Sequence, residues 1–479
     1  MLMRNLLAAL PGEDDFKRVD ILVQGEKIVS VRASASGSRA VAKVGADGRS
    51  SPGDRHVGEE LDGSGLLAFP GAIDPHVHFD EPGFTHREDF LHGTAEAARG
   101  GVTTVIDMPC TSLPPVTCLS ALEGKLGTVS GKALVDYAFF GGFHGAMEPK
   151  SMAEAAMELA PRVVGFKCYA ISGMESFPAL GWEGFGRALD LCSALGRPLL
   201  LHAEDPEIIR AAQERLEKAR GSSPPRWKDY YASRPMEAEI EACRKAIRAR
   251  PEANAWLHVV HVGTAEAVRL AKAGGASVET CAHYLAFDES DFDRLGSALK
   301  TAPPVKEASQ KALLWRLLAE GTIDYVASDH AGAPDYEKYT GDPLTAYGGI
   351  PGTGTLFPYL LSQGLFAKRL GLGRFLEATC QRAARRYGLD AAKGRIEPGF
   401  DADLVLVDPD AVTLLGSGSM FSKSAISPFS GMRLAGSVAG TFVRGACAFA
   451  RPRLLAGAPP LLRAAFEASP FEEGTRNWA

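Results

Sequence analysis

Two histidines separated by one residue, His76 and His78 in Asp74-Pro-His76-Val-His78, directly follow the apolar run LLAFPGAI. In an extended strand, residues two apart face the same way, so both imidazoles can reach one cation. Alone, the pattern is equally well read as two polar residues closing a strand. It gains weight from its company. Lys167 in VVGFKCYA, His202 in PLLLHAED, His261 in LHVVHVG and Asp329 in YVASDHA each close a further apolar run. Imidazole and carboxylate are donors for a divalent ion such as zinc, with manganese, cobalt or iron compatible with the same atoms. A lysine closing a buried strand is costly as an ammonium beside cations, because burial and like charge both disfavour that form. As a neutral amine it can add carbon dioxide, giving a carbamate whose two oxygens can bridge two ions. His258 stands three positions before His261, so strand alternation keeps the two from sharing a face. His261, at the end of the run, is the candidate ligand, and His258 is read as structural. His283 in TCAHYL and His330 beside Asp329 are candidates for supporting or substrate contacts.

These residues need a scaffold that gathers strand ends. From about Leu66 the chain repeats short apolar runs, each followed by a helical segment: LLAFPGAID then GTAEAARGG, VTTVIDMP, ALVDYAFFGG then SMAEAAMELA, VVGFKCYA, RPLLLHAED, AWLHVVHVG then TAEAVRLAKAGG, SVETCAHY, IDYVASDHA. Strand-then-helix repetition calls for a parallel sheet with helices outside, and about eight such units predict an α/β fold of the (β/α)8 barrel type. Barrel enzymes keep their chemistry at the C-terminal strand ends, where these polar residues fall. Before the barrel, DILVQGEKIVSV around Gly25-Glu26 predicts a β-hairpin. After Gly394, RIEPGFDADLVLVDPD and SVAGTFVRGACAFA return to strand alternation, so both ends join in a small β-sandwich. The expected division is 1–67 and 391–455 for the sandwich, 68–390 for the barrel and 456–479 for a tail. That tail, with regularly spaced apolar residues, is expected to pack on the sandwich or a neighbouring subunit. Ala33–Arg55, rich in Ser, Gly and Ala, reads as a surface loop.

Composition excludes several functions. With 46% hydrophobic and 23% charged residues the chain is an ordinary globular protein. A net charge of -6 offers no basic footprint for nucleic acid. No apolar run is long enough to span a bilayer, and the N-terminus is too soon acidic for a signal peptide. Cys110, Cys118, Cys168, Cys192, Cys243, Cys281, Cys380 and Cys447 form no CxxC pair and read as reduced thiols, so a cytoplasmic location is expected. Gly348-Gly-Ile-Pro-Gly-Thr-Gly354 lacks the Lys-Ser/Thr pair of a phosphate loop and reads as a tight active-site turn, implying no nucleotide.

Taken together, GAIDPHVHFDEPG, GVTTVIDMP, GFKCYAISG, LLHAED, VVHVGTAEA, SVETCAHYLAF, YVASDHA, YGGIPGTGT and GRIEPGFDADLVLVD resemble the cyclic amidohydrolases of the amidohydrolase superfamily, the group of allantoinase, dihydroorotase, hydantoinase and dihydropyrimidinase. The resemblance implies that His76, His78 and Asp329 bind a more buried metal, His202 and His261 a more exposed one, and Lys167, as N6-carboxylysine, bridges them. It implies two divalent ions, ordinarily zinc, and a homodimer or homotetramer. Asp329 is the expected catalytic residue, passing a proton from water to the leaving ring nitrogen.

The ring is narrowed by departures from each subgroup. Where dihydroorotases carry an arginine after the histidine pair, this chain has Phe79-Asp80, and Cys110 replaces their asparagine. Where hydantoinases place a tyrosine five residues after the lysine, it has Ser172. Local wording is nearest to allantoinases: EPG after the histidines, Ser112-Leu-Pro-Pro115, Ser172-Gly173 before Phe177-Pro178, and Lys300-Thr-Ala-Pro-Pro304. The expected reaction is hydrolysis of a ureide ring C–N bond, allantoin to allantoate. The alternatives are a hydantoinase-like or cyclic imide hydrolase, and an inactive scaffold homologue. Asp80, Thr111, Ser172, His283, Thr301 and Gly349 are the expected substrate contacts.

Overall fold

The structure is a computed structural model that describes residues 1–34, 60–451 and 454. The expected surface loop, from residue 35 onward, and the tail 456–479 lie outside the described residues. Near the N-terminus, β1 (Leu2–Ala8), β2 (Lys17–Gln24), β3 (Lys27–Ala33), β4 (Glu60–Asp62) and β5 (Leu67–Pro70) form the first part of the small domain. β2 and β3 are the expected hairpin, paired antiparallel, with Gly25 in the turn at φ 57°, where a side chain would be strained. Alternation is visible in β2, where Val19, Ile21 and Val23 are buried.

The barrel strands follow: β6 (Ala72–Val77), β7 (Val102–Asp107), β8 (Asp136–Phe139), β9 (Gly141–Gly142), β10 (Phe166–Tyr169), β11 (Leu199–His202), β12 (Leu257–Val259), β13 (Ser277–Cys281) and β14 (Tyr325–Ala327). All their pairings are parallel. Phe140 alone separates β8 from β9, so these act as one strand and the three-stranded and six-stranded sheets join as an eight-stranded barrel. A parallel bridge from Val77 to His330 closes it. Strands β6, β7 and β11 are buried along their whole length, as expected of strands covered by side chains inside and helices outside.

Finally β15 (Leu404–Leu414), β16 (Arg433–Val443) and β17 (Ala446–Ala450) return to the small domain. The hydrogen-bonded order is β17-β16-β15-β5-β1-β2-β3, with β4 on β1. Leu6, Ile21, Leu61, Leu404 and Phe442, drawn from both ends of the chain, share one buried core. The fold is thus a (β/α)8 barrel with a β-sandwich built from both ends. The small sheet takes in residues 67–70 through β5, slightly past the division expected from sequence, because the antiparallel pairing with β15 continues to Pro70.

The helix after β6, Phe90–Arg99, starts where Asp89 accepts a hydrogen bond from the His92 backbone N–H at 2.9 Å. Burial pushes the Asp89 carboxyl up, but the bonds from His92 and the charge of Lys423 outweigh it and hold it at about 2. Asp89→Ala is expected to cost about 1 kcal/mol in chemical denaturation at pH 7, the usual cost of a lost cap. Because the folded pKa lies below the ordinary carboxylate value, this contribution is present above about pH 4 and fades as pH falls toward 2. The gap between wild type and variant should therefore narrow on acidification from pH 6 to 3. An unchanged gap would show that the carboxylate charge is not what stabilises the helix start.

Candidate active site

The site is assembled by barrel closure. Asp74 accepts a hydrogen bond from the Ser328 N–H at 3.0 Å, and the His78 N–H donates to the His330 carbonyl at 2.8 Å. These ties bring Asp329 against the histidine pair: its Oδ1 lies 3.3 Å from His76 Nε2 and 3.4 Å from His78 Nε2. On the other flank, the Phe79 N–H donates to Asp107 at 2.8 Å, and Asp107 is itself paired with buried Lys125 at 2.6 Å. The His76 and His261 rings stand 5.5 Å apart, and those of His202 and His261 4.7 Å apart. Asp80, His261 and Asp329 all have positive φ, at 58°, 40° and 51°. Left-handed backbone at non-glycine residues is strained and recurs where a side chain must be aimed.

Hydrogen bonds on the far side of each ring decide which nitrogen faces the centre. His76 Nδ1 donates to Glu279 Oε1 at 2.6 Å, which leaves Nε2 as the bare lone pair. His202 Nε2 donates to Glu204 at 2.9 Å, leaving Nδ1 facing His261 Nε2 across 3.0 Å. Burial lowers the pKa of His76, His202 and His261, so these imidazoles are neutral donors. Burial pushes Asp329 up, yet the facing His76, His78 and His261 hold it well below the usual carboxylate range. Lys167 is fully buried, and its pKa is lowered mainly by that burial.

His76 Nε2 and Lys167 Nζ are buried atoms without a hydrogen-bond partner among the described residues. Orphaned polar atoms of this kind are costly unless something pairs with them. His76, His78 and Asp329 bring one ligand atom each within 4.8 Å of the others. With the facing nitrogens of His202 and His261, the donor set fits divalent cations: imidazole nitrogens and an ionised carboxylate, with the buried Lys167 amine beside them.

These groups open into a cavity of about 480 Å³. Among the expected substrate contacts, Thr111, Ser172, Thr301 and Gly349 line it. Gly349 is required there, because a Cβ would strike the Ala331 carbonyl. Asp80 and His283 do not line it: Asp80 is fully buried, and the short helix Ala282–Ala286 carries His283 into the core against Tyr284. His330 is also structural, its Nε2 3.2 Å from buried Glu88. His258 is structural as expected, bonded to Ser277, Glu279 and Tyr325.

Sequence reading missed Glu279, Glu204 and its partner Arg234, and the cavity residues Tyr230 and Tyr347. A charge inside the apolar run ASVETCA was the available signal for Glu279.

The Amidohydrolase family pattern matches residues 67–447. The chain belongs to the amidohydrolase family. It is similar to an allantoinase of Rubrobacter xylanophilus, 39% identical over 83% of this chain and 87% of that one, and to an allantoinase of Escherichia coli, 31% identical over 90% and 92%. Among solved structures it resembles the L-hydantoinase of Arthrobacter aurescens with a TM-score of 0.82, at 30% identity, covering 93% of this chain and 95% of that one. The histidine pair and Asp329 of this amidohydrolase therefore stand in a barrel matched along nearly its whole length.

Glu279 is shared by His76 and His258 and is fully buried. Glu279→Ala removes the group that fixes the His76 tautomer, and groups supporting a metal-binding ring ordinarily carry about 10–100-fold in metal affinity or activity. Ring-opening activity should fall by that order. Titration with added zinc should recover part of the loss; recovery at the wild-type zinc concentration would exclude an orienting role.

Proposed function

We propose that this amidohydrolase opens a cyclic ureide by adding water across a ring amide, most simply converting allantoin to allantoate. The observation carrying the reading is the convergence of His76, His78, His202, His261 and Asp329 on one cavity, with the orphaned amine of Lys167 buried within electrostatic reach of Asp329. Allantoinase relatives matched along most of the chain support the choice of ring. His76, His78 and Asp329 would hold one divalent ion, His202 and His261 a second, and Lys167, once carboxylated, would bridge them. Zinc is the proposed metal. Ions bound there would acidify water and polarise the ring carbonyl.

The rest follows from the chain's own groups. Asp329, ionised and at the cavity floor, accepts a proton from the attacking water as its oxygen bonds to the carbonyl carbon. The same carboxyl returns that proton to the ring nitrogen as the C–N bond breaks, leaving an open-chain ureido acid. Lys167 contributes its carbamate, formed when the neutral amine adds carbon dioxide and releases a proton. Glu204 and Glu279 fix ring orientation behind His202 and His76.

Resemblance to hydantoinases supports a second reading, a preference for hydantoin or dihydropyrimidine rings. The full donor set argues against an inactive scaffold. Free cysteines throughout support a reducing, cytoplasmic address, and the family resemblance supports a homodimer or homotetramer.

Metal analysis coupled to turnover of allantoin, hydantoin, dihydrouracil, dihydroorotate and succinimide tests the proposal. Near two metals per chain with preference for allantoin is the expected result; preference for another ring moves the substrate, and absence of activity after zinc and bicarbonate removes the hydrolase reading. Asp329→Asn should lower kcat by about 10²–10⁴-fold, the range of a lost acid–base group. Near-normal turnover would take Asp329 out of proton transfer. Lys167→Ala should be inactive and regain measurable turnover with added formate or acetate, which restore a carboxylate in the vacated space. Rescue by methylamine instead would point to an amine role.

A further inference from the structure

Several hydroxyl groups reach the cavity, and most are committed elsewhere. Thr301 donates to the Pro303 carbonyl at 2.8 Å, Ser233 to the Tyr230 carbonyl at 2.7 Å, and Tyr230 to the Thr301 carbonyl. Tyr169 is paired with Cys110 Sγ at 3.1 Å, and Thr111 lies 3.3 Å from His78 Nδ1. Ser172 accepts from the Met174 N–H at 3.1 Å, which holds its oxygen in a local turn but leaves its proton uncommitted. Tyr347 lines the same cavity, and its hydroxyl has no hydrogen bond to any described residue.

The Tyr347 ring is nevertheless fixed. The Arg87 guanidinium lies 4.5 Å from its centroid, and Arg87 is held by Glu337 at 2.7 Å. The Tyr347 N–H donates to the Glu337 carbonyl at 2.8 Å, and its own carbonyl accepts from Lys338 Nζ at 3.1 Å. Lys300 holds the neighbouring Leu344 carbonyl at 2.9 Å. A phenol is thus immobilised from the backbone and one ring face, with its hydroxyl unspent. A cation against the ring face draws electron density from it and strengthens the hydroxyl as a donor. Burial, with Asp80 and Asp329 nearby, raises the phenol pKa, so it keeps the proton it would donate.

We infer that Tyr347, backed by Arg87, donates a hydrogen bond to a carbonyl oxygen of the bound ring and is a specificity-determining residue of this site. The inference rests on the cavity being the place of ring hydrolysis. A group aimed at the reacting carbonyl gains strength as negative charge develops on that oxygen, whereas one aimed at a remote carbonyl contributes equally before and during reaction. A ring lacking an acceptor at that position would leave the hydroxyl unpaired.

The test compares wild type, Tyr347→Phe, Arg87→Met and Ser172→Ala in steady-state kinetics on allantoin, hydantoin and dihydrouracil, with thermal unfolding of each. Tyr347→Phe keeps the ring against Arg87 and removes one oxygen. It should leave the unfolding temperature unchanged and lower kcat/KM by about 10²-fold, the scale of a lost oxyanion donor. A fall in kcat places the bond on the reacting carbonyl, and a rise in KM alone places it on the remote one. Arg87→Met should show a smaller loss in the same parameter. Kinetics of Tyr347→Phe within twofold of wild type, or the whole loss falling on Ser172→Ala, overturns the inference. If wild type opens hydantoin but not allantoin and Tyr347→Phe still loses activity, the inference stands and the allantoin assignment falls. If wild type opens none of these rings, both fall.

Discussion

The tie between β6 and the segment after β14 is the constraint on which the site depends. The six candidate donors come from five strand ends, and consecutive strands are brought together by the parallel pairings of β10 through β14. The histidine pair, however, sits at the end of β6 and its partner carboxylate follows β14, at opposite ends of the barrel sequence. Bonds from Ser328 to Asp74 and from His78 to His330 join those ends. Asp74 is fully buried, and its Oδ1 finds its partner inside the protein, in the Ser328 backbone N–H, without a counter-charge. Closure and assembly of the site are one event.

That geometry is held at a local cost. His261 and Asp329 lie two residues beyond the last residues of β12 and β14, and each turns through left-handed backbone rather than continuing the strand. A regular strand extension would send the chain past the barrel mouth; the turn brings the side chain back over it. The compensation is visible nearby, where Glu279 accepts from His76, faces His258 and lies 3.4 Å from the His261 N–H. One buried carboxylate therefore orients a candidate ligand, pins a structural histidine and steadies a strained turn.

Much of this was legible in the sequence because barrel strands buried on both faces read as short apolar runs, and a titratable residue closing such a run stands out. The hairpin around Gly25, the strand-then-helix rhythm and the donor set followed from that contrast. The choice of His261 over His258 followed from strand alternation, and the bonds of His258 to Ser277 and Tyr325 agree with it. What was hidden depends on contacts between distant segments. Asp80 and His283 sit near strand ends, as cavity residues do, but a left-handed turn and a short helix, invisible in local pattern, keep them off the wall. Tyr347 and Arg87 lie far apart in the chain, and nothing in either neighbourhood announces that a cation will cover the phenol.

The same contrast separates the chemistry of the floor from that of the wall. At the floor, burial lowers the pKa of His76 and of Lys167, the direction that favours the uncharged form of each. At the wall, Tyr230, Thr301 and Ser233 spend their hydroxyl protons on backbone carbonyls, so they have none left to donate to a carbonyl in the cavity. A small polar ring entering such a cavity must replace its lost hydration with few partners, and each unpaired carbonyl would cost affinity. Discrimination among cyclic amides therefore falls on the few wall groups still able to bond, while the floor, whose donors are set by burial and by Glu204 and Glu279, can perform the same hydrolysis on any ring that reaches it.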